Sequence, residues 1–500
     1  MLNNIKLATK DTFIYSLGNI STKIIGLVLL PLYTEKLSVA EYGVLGTVEI
    51  TIQVLVAAFN LSLYQALNRW YWDKQYVARQ KSIFFTTLVS LIILSILMLL
   101  FFLPLTGTLS GNLLGSPEYS YLFTLLLISA SFQILARGVL SLMRLQRKPL
   151  LFTTTNIAKL IITLFLTLYL VIVLNRGIEG IFEAQIIGFL FFILINVRFI
   201  TRNSKPIFEW AIFKEMIQFS YPLALSSVSS VLLTVADRYT VRYLEGMESM
   251  GLYSAGFKIA NVLKVFIIHS LSSALMPLKF QMMDRPNNKR FYSKIMTYTA
   301  FGFIIAMLGL SLFSKEVIRL LAQDPGYWSA YHFVPILCFA QLFELLRSNA
   351  NFGLIIKKKT KIISGILIFI SFITIGLNAF FVSYFGAYGA AVATLLSQIV
   401  FFTLIYQNAQ KKYQIPYELV KLGKMILVAL IIVLVTYVWI NPMMIIPRIL
   451  LKLLLILLFP VFLYFLNFYE PIELIRLKQS WNKWKNPKDW GENMKNIRIK

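Results

Sequence analysis

The sequence predicts an all-α integral membrane protein, and two features of the chain support that prediction. Of the 500 residues, 58% are hydrophobic and only 14% are charged, and the mean hydropathy is +0.72. A soluble chain of this length could not bury so much apolar surface. The apolar residues fall in long runs that do not alternate in polarity, as the strands of a membrane β-barrel would. Membrane-spanning helices are therefore the predicted elements.

Fourteen apolar runs are long enough to cross about 30 Å of hydrocarbon at ~1.5 Å per residue. They cover residues 12–33, 43–66, 82–104, 119–142, 151–174, 179–199, 215–241, 251–278, 294–314, 330–354, 362–384, 387–407, 420–440 and 447–467. The segments that connect these runs are mostly short, so no large catalytic domain is expected outside the membrane.

The net charge of +26 is explained by topology. In a soluble protein it would suggest nucleic acid as a partner, but here most Lys and Arg residues lie between the apolar runs. Lys and Arg residues at the ends of runs are counted with the adjoining segment. The N-terminal segment and every second segment after it then hold 34 of these residues, and the segments between them hold 6. By the positive-inside rule, both termini are predicted to be cytoplasmic, and no nucleic-acid partner is expected.

The chain also repeats itself at a spacing of 206 to 210 residues. The matching positions are Tyr33 and Tyr239, Gly43 and Gly251, Arg137 and Arg347, and Gly177 and Gly386. Six runs make one copy, and because six is even the two copies should be parallel, related by an axis along the membrane normal. We predict a first lobe over residues 1–205, a second lobe over 206–410, two additional helices within 411–469, and a basic amphipathic cytoplasmic tail over 470–500.

Four of the predicted helices carry polar side chains along one face. These side chains are Ser16, Asn19 and Lys23 in the first helix, Glu49, Gln53 and Asn60 in the second, Ser226, Ser230 and Asp237 in the seventh, and Lys258, Asn261 and His269 in the eighth. Under the repeat, the first and second helices correspond to the seventh and eighth. We therefore expect all four to surround one water-filled cavity between the lobes.

Charged groups inside the predicted spans are mainly basic. The basic residues are Lys23, Arg137, Arg238, Lys258, Lys264 and Arg347, and the acidic ones are Glu49, Glu183, Asp237 and Glu344. Ionisable groups are costly in a membrane and usually functional. A cationic cavity suits an anionic ligand such as a phosphate or pyrophosphate.

Structural alternatives remain open for most of these charges. Lys258 could extend to the membrane surface, Lys264 or Arg238 could pair with a neighbouring helix, and Arg137 could contact lipid headgroups. His269 could be an interhelical hydrogen-bonding group, and Glu344 and Arg347 could neutralise each other at a spacing of three. Glu49, Asp237 or Glu344 could instead bind a coupling cation.

Several function classes are disfavoured by missing motifs. The chain has no Asp-x-Asp pair for metal-dependent glycosyl transfer and no Gly-rich phosphate-binding loop ending in Lys-Ser or Lys-Thr, so neither an enzyme nor ATP hydrolysis is expected. Its single cysteine, Cys338, excludes disulfides and cysteine-based metal sites. No cofactor is expected.

Two segments resemble a known family. The first segment runs from Asp11-Thr12 through Gly18-Asn19, Lys23 and Leu30-Pro31-Leu32-Tyr33 to Glu41-Tyr42-Gly43. The second contains Asp237-Arg238-Tyr239 and Gly251-Leu252-Tyr253-Ser254-Ala255. They resemble the opening and the seventh-to-eighth-helix signature of the polysaccharide biosynthesis (Wzx-type) oligosaccharide flippases, in the multidrug/oligosaccharidyl-lipid/polysaccharide (MOP) exporter superfamily. The resemblance extends over essentially the whole chain and implies the two-lobed MATE- and MurJ-like fold.

The resemblance also implies a function. Such a protein moves an undecaprenyl-pyrophosphate-linked oligosaccharide across the bacterial cytoplasmic (inner) membrane by alternating access, for the O-antigen of lipopolysaccharide, capsule or exopolysaccharide. Lys23 is the position to which the family's cationic cavity carries over best. Membrane lipid, a polysaccharide polymerase and glycosyltransferases are the expected partners, and the chain is expected to act as a monomer.

Related functions stay open. Multidrug exporters of the superfamily usually have twelve spans and an acidic first helix, whereas this first helix carries Lys23. Lipid II flippases share fourteen spans and a cationic cavity and are harder to separate. An integral-membrane glycosyltransferase or polymerase is the least favoured alternative. The sequence determines neither the glycan nor the coupling ion.

Overall fold

The computed structural model describes residues 26, 28–475 and 479, and its regular elements in that part of the chain are all helices. The first ten α-helices are α1 Leu30–Lys36, α2 Val39–Phe59, α3 Leu63–Trp70, α4 Gln80–Phe102, α5 Thr106–Leu114, α6 Ser120–Leu145, α7 Pro149–Leu168, α8 Gly177–Ile195, α9 Val197–Asn203 and α10 Trp210–Glu245. They are followed by α11 Met247–Leu263, α12 His269–Gln281, α13 Asn288–Leu312, α14 Ser314–Leu321, α15 Phe333–Ala350, α16 Phe352–Ile356, α17 Thr360–Lys412, α18 Leu419–Val435 and α19 Ile445–Phe465. π-Helical segments cover Tyr169–Val173, Lys264–Ile268 and Thr436–Ile440, and short 3₁₀ helices cover Val77–Arg79, Leu103–Leu105, Pro117–Tyr119 and Pro325–His332.

Within the described residues, twelve helical stretches are long and apolar enough to cross a membrane. One of them, α17, holds two helices joined at Gly386, whose φ of +57° lies in the left-handed region that glycine tolerates. This stretch covers the predicted runs 362–384 and 387–407. The first predicted run lies mostly outside the described residues, so the total of fourteen stays a prediction. The prediction of an all-helical, multi-pass membrane protein is confirmed.

The described residues form two compact units. The first unit comprises residues up to 292 together with 314–415, and the second comprises 293–313 together with 416 onwards. The division of the chain into lobes at residues 205 and 410 rests on the repeat and stays a prediction.

The first unit contains a very close crossing between α2 and α11. A Cβ atom at Gly43 would lie 1.9 Å from the carbonyl oxygen of Met247, and one at Gly251 would lie 2.0 Å from the carbonyl oxygen of Val39. Only glycine fits at either position, because any side chain would overlap the opposing backbone. Val39 and Met247 are separated by 208 residues, as are Gly43 and Gly251. The two helices therefore meet through equivalent positions of the repeat.

The start of α2 is fixed by a capping box. The Ser38 hydroxyl accepts a hydrogen bond from the Glu41 backbone N–H at 3.2 Å, and the Glu41 carboxylate accepts one from the Ser38 N–H at 2.8 Å. The Tyr327 hydroxyl donates to the carbonyl oxygens of Leu37 and Ser38, at 3.0 and 2.9 Å. This anchoring sets the register of α2 and hence the face on which Glu49 lies.

In the second unit, Lys294 on α13 lies among three carboxylates. Its Nζ atom is 2.9 Å from Glu418, 2.6 Å from Glu470 and 3.5 Å from Glu473. Lys421 also contacts Glu418, at 2.9 Å. Burial alone would raise the pKa of Glu418, but hydrogen bonds from Lys294, Lys421 and a threonine hydroxyl lower that pKa to about 2. The cluster ties α13 to the start of α18 and to the segment that follows α19. The predicted amphipathic tail lies mostly outside the described residues.

Candidate functional site

A cavity of about 390 Å³ with both polar and apolar walls lies inside the first unit, and we call it the large cavity. Its walls come mainly from α2, α10, α11 and the π-helical segment after α11, with Gly26 and His269 at its margins. Seven residues singled out from the sequence line it: Glu49, Gln53, Arg238, Lys258, Asn261, Lys264 and His269. The structure thus brings together polar residues of the predicted second and eighth helices with Thr234 and Arg238 of the seventh, whereas Ser226, Ser230 and Asp237 of the seventh helix do not line this cavity.

Lys258 on α11 pairs across the crossing with Glu49 on α2, with 3.4 Å between Nζ and Oε1. The rings of Tyr33 and Tyr42 lie beside the ammonium, with centroids 5.7 and 5.4 Å from Nζ, within the range of cation–π attraction. Gly26 leaves room for the side chain, since a Cβ there would lie 3.2 Å from the Lys258 Cε. Lys258 therefore points inward and does not extend to the membrane surface.

Arg238 reaches the large cavity, whereas the neighbouring Asp237 turns away from it. The guanidinium lies 4.2 Å from the Phe257 ring centroid and donates to the Thr234 carbonyl at 2.7 Å. Asp237 is 3.7 Å from Arg238 Nε and accepts a hydrogen bond from the Tyr253 hydroxyl at 2.8 Å. The carboxylate also accepts a hydrogen bond from the Arg238 backbone N–H at 2.8 Å, so it is held from both α10 and α11.

Lys264 contacts a helix that the sequence did not assign to it. Its Nζ lies 2.9 Å from Glu344 on α15, closer than Arg347, whose guanidinium is 3.8 Å from the same carboxylate. The predicted Glu344–Arg347 contact exists, but Lys264 is the nearer partner. Lys264 and the next two residues all line the large cavity because they begin the π-helical segment, whose extra residue per turn changes the helical phase.

A second, small cavity of about 40 Å³ lies between α10, α11, α15 and α17. Asp237 and Glu344 line it, together with Lys264 and Asn261. Three further polar residues in its wall were not singled out from the sequence: Gln341, Thr394 and Gln398. The sequence does carry a signal for them, because Gln341 lies three residues before Glu344 and Thr394 lies four residues before Gln398, spacings that place each pair on one helical face.

The two cavities differ in the charges of the side chains that line them. Among the described residues, the large cavity is lined by three basic side chains and one carboxylate, that of Glu49, while Asp237 and Glu344 line the small cavity and Lys264 lines both. The larger space therefore has an excess of positive charge. Among the described residues, no group of three or more His, Cys, Asp or Glu side chains is placed to hold a metal ion.

The remaining predicted site residues lie elsewhere. Asn60 is buried and donates to the Val56 carbonyl at the end of α2, at 2.6 Å. Arg137 is exposed, Ser226 donates to the Pro222 carbonyl at 3.2 Å, and Ser230 is exposed. Arg347 stacks on Phe401 at 4.2 Å. None of these five lines either cavity, and Ser16, Asn19 and Lys23 lie outside the described residues.

The fold is that of solved MOP superfamily proteins. A structure titled "Lipid II flippase MurJ, inward closed conformation" is 18% identical, with a TM-score of 0.70, covering 91% of this chain and 99% of that one. An inward-facing multidrug resistance MATE family transporter of the MOP superfamily is 15% identical, with a TM-score of 0.63, covering 81% of this chain and 97% of that one. At these identities the likeness shows the fold alone.

The fold, the internal cavity and the sequence similarities together define a multi-pass membrane transporter of the flippase and exporter class, not an enzyme. The sequence pattern described as "Polysaccharide biosynthesis protein" matches residues 8–283, and the pattern described as "MatE" matches residues 222–380. The chain belongs to the polysaccharide biosynthesis protein family.

Two curated proteins of Haemophilus influenzae are also similar. One, named "Uncharacterized membrane protein", is 23% identical over 286 residues, covering 56% of this chain and 67% of its own length. The other, "Lsg locus putative protein 1", is 22% identical over 345 residues, covering 66% of this chain and 80% of its own length.

Proposed function

We propose that this protein is a flippase that moves a polyprenyl-pyrophosphate-linked oligosaccharide across the bacterial cytoplasmic membrane. The observation that carries the proposal is the distribution of charge among the described residues: Arg238 and Lys258 line only the large cavity and Lys264 lines both cavities, whereas the carboxylates of Asp237 and Glu344 line only the small one. A pyrophosphate needs cationic donors in a space that water can enter, and the large cavity offers both.

The remaining wall of the large cavity suits a sugar. Gln53 and Asn261 present amide groups to the space, and Ser254 and Thr234 add hydroxyls. Amides and hydroxyls both donate and accept hydrogen bonds, as sugar hydroxyls do. The polyprenyl tail would stay in lipid while the lobes rock, with both termini in the cytoplasm. Polysaccharide polymerase and glycosyltransferases would act before and after this step, and the product would be O-antigen, capsule or exopolysaccharide.

Lys23 provides the test, because its predicted position is mid-span on the first polar face. Lys23→Ala should abolish glycan export with little change in membrane abundance, Lys23→Arg should retain part of the activity, and Lys23→Glu should be inactive. Lys36→Ala, at an exposed lysine that pairs with Glu35, is the matched control and should export normally. Export by Lys23→Ala at the wild-type level would contradict the assignment of Lys23.

A lipid II-type flippase is a second candidate, because the MurJ structure is covered almost end to end. The two functions differ in the sugar and share the pyrophosphate. Expression in bacteria depleted of their own lipid II flippase separates them: rescue of growth supports the second candidate. Loss of surface polysaccharide on gene deletion, without a growth defect, supports the first.

A further inference from the structure

The Lys258–Glu49 pair stands out because the crossing around it is otherwise symmetric. With the offset of 208 residues that relates Gly43 to Gly251, Glu49 corresponds to Phe257, and Lys258 corresponds to Ile50. The equivalent pair is thus apolar, and Ile50 is fully buried. The close approach of α2 and α11 depends on the two glycines. The Lys258–Glu49 ion pair is therefore not required for the crossing, and it has no counterpart at the equivalent positions.

Glu49 is open to the large cavity, with 42% of its side chain exposed, against 20% for Lys258. Among the described residues, two tyrosine rings and Gly26 also lie beside the lysine. An anion that enters the large cavity would meet the Lys258 ammonium where the Glu49 carboxylate contacts it, because both side chains line that cavity. A phosphate oxygen and a carboxylate oxygen are the same kind of acceptor for an ammonium group.

We infer that Glu49 is an internal competitor for the anion site. Its carboxylate pairs with Lys258 when the large cavity is empty, and an anionic pyrophosphate group that enters the cavity replaces it. Because Glu49 belongs to the first copy of the repeat and Lys258 to the second, this exchange releases a tie between α2 and α11 only when the cavity is loaded. The inference rests on the proposed function and deepens it, because it names Glu49 as the residue that an anionic substrate must displace before the contact between α2 and α11 is released.

The Lys264–Glu344 pair differs from the Lys258–Glu49 pair in the position of its carboxylate. Its atoms are 2.9 Å apart, Glu344 does not line the large cavity, and both residues belong to the second copy. An anion in the large cavity could contact Lys264 without displacing Glu344. We therefore assign the exchange to Glu49 alone.

The test is a binding titration of the purified full-length protein in lipid nanodiscs, with undecaprenyl pyrophosphate as the probe. Glu49→Gln removes the competing charge and should lower the Kd about tenfold, which corresponds to about 1.4 kcal/mol. Lys258→Gln should weaken binding, and adding Glu49→Gln to Lys258→Gln should change nothing further, because the two residues act on the same contact.

Glu183→Gln is the matched control. It removes one carboxylate from an ion pair with Arg176 that lies in neither cavity, and it should leave the Kd at the wild-type value. If Glu49→Gln does not reach the membrane, Glu49→Asp replaces it: the shorter carboxylate competes less well and should lower the Kd by a smaller factor.

The outcomes separate the two proposals. If the wild type binds the probe and Lys258→Gln weakens binding, but removing or shortening Glu49 leaves the Kd unchanged or raises it, the exchange is wrong and the proposed function stands. If neither the wild type nor any variant binds the probe, both proposals are overturned. An equal gain in Glu49→Gln and Glu183→Gln would show a general charge effect and would also overturn the exchange.

Discussion

Two groups of partly buried charges in this protein are built differently. At the large cavity, Lys258 has one carboxylate partner among the described residues, at 3.4 Å, and that partner is partly exposed to the cavity. In the second unit, Lys294 has three carboxylate partners, two of them within 2.9 Å, and Lys421 shares two of the three. A lysine with one carboxylate partner next to a cavity can exchange that partner for a ligand. A cluster in which several lysines and carboxylates pair with one another instead holds helices together. Charged side chains in this protein thus have two proposed roles, ligand binding at Lys258 and structural support at Lys294, which experiments can separate.

The largest effect is expected at the cavity and should leave folding intact. Lys258→Ala should lower glycan export at least tenfold, because it removes a cation that we propose contacts pyrophosphate. Membrane abundance should stay close to wild type, because the Glu49 carboxylate left behind is open to the cavity and can be hydrated. Export measured against protein level checks this. A loss of protein that matched the loss of export would make Lys258 structural, like Lys294.

The reverse pattern is expected at Lys294. Lys294→Met removes one of the two lysines of the cluster, leaving Lys421 alone beside Glu418 and Glu470, and should destabilise the second unit by about 3 kcal/mol. Abundance and the thermal unfolding midpoint should both fall, while export per molecule stays near wild type. Lys361→Met, at an exposed lysine, is the control. Normal stability of Lys294→Met would remove the distinction between the two regions.

Acid should weaken the Lys294 cluster in a defined pH window. The pKa of Glu418 is lowered from its ordinary 4.5 to about 2, so the stability that this carboxylate contributes is complete above pH 4.5 and is lost as the pH falls towards 2. Between pH 6 and pH 3.5 the thermal midpoint of Glu418→Gln should fall by roughly 3 °C less than that of the wild type. Equal falls in the two proteins would show that Glu418 does not carry the acid sensitivity.

The smallest effect is a labelling pattern that changes no function. In a Cys338→Ser background, single cysteines at the exposed positions Thr108 and Glu248 should react with an impermeant reagent in intact cells. Cysteines at Lys74, Asn287 and Lys411 should not, because the positive-inside rule places them in the cytoplasm. Labelling of Asn287 from outside would contradict the predicted topology and would place the start of α13, beside the Lys294 cluster, on the outer side.

Much of the site could be predicted because membrane helices have strong local signals. Length and apolar composition predicted the helices, and the predicted polar faces include Glu49, Gln53, Lys258 and Asn261, which the structure places around one space. The repeat predicted which helices correspond, and Gly43 and Gly251 do meet at equivalent positions. Asn60 and Ser230 also belong to predicted polar faces but line neither cavity: Asn60 is buried and Ser230 is exposed, because a polar face does not say whether a cavity, a neighbouring helix or the surface lies against it.

The sequence by itself determined the all-helical membrane fold, the family and the excess of basic groups inside the spans. Each follows from composition and from spacing along a single helix, and a helix in lipid satisfies its own backbone hydrogen bonds. Only the tertiary structure decided the partners of the charges: Glu49 with Lys258, Glu344 with Lys264, and Tyr253 with Asp237. These contacts depend on where two helices cross and on a π-helical segment that changes the phase of one of them. Neither property is encoded in the periodicity of any one helix, because a crossing is fixed by the packing of both partners.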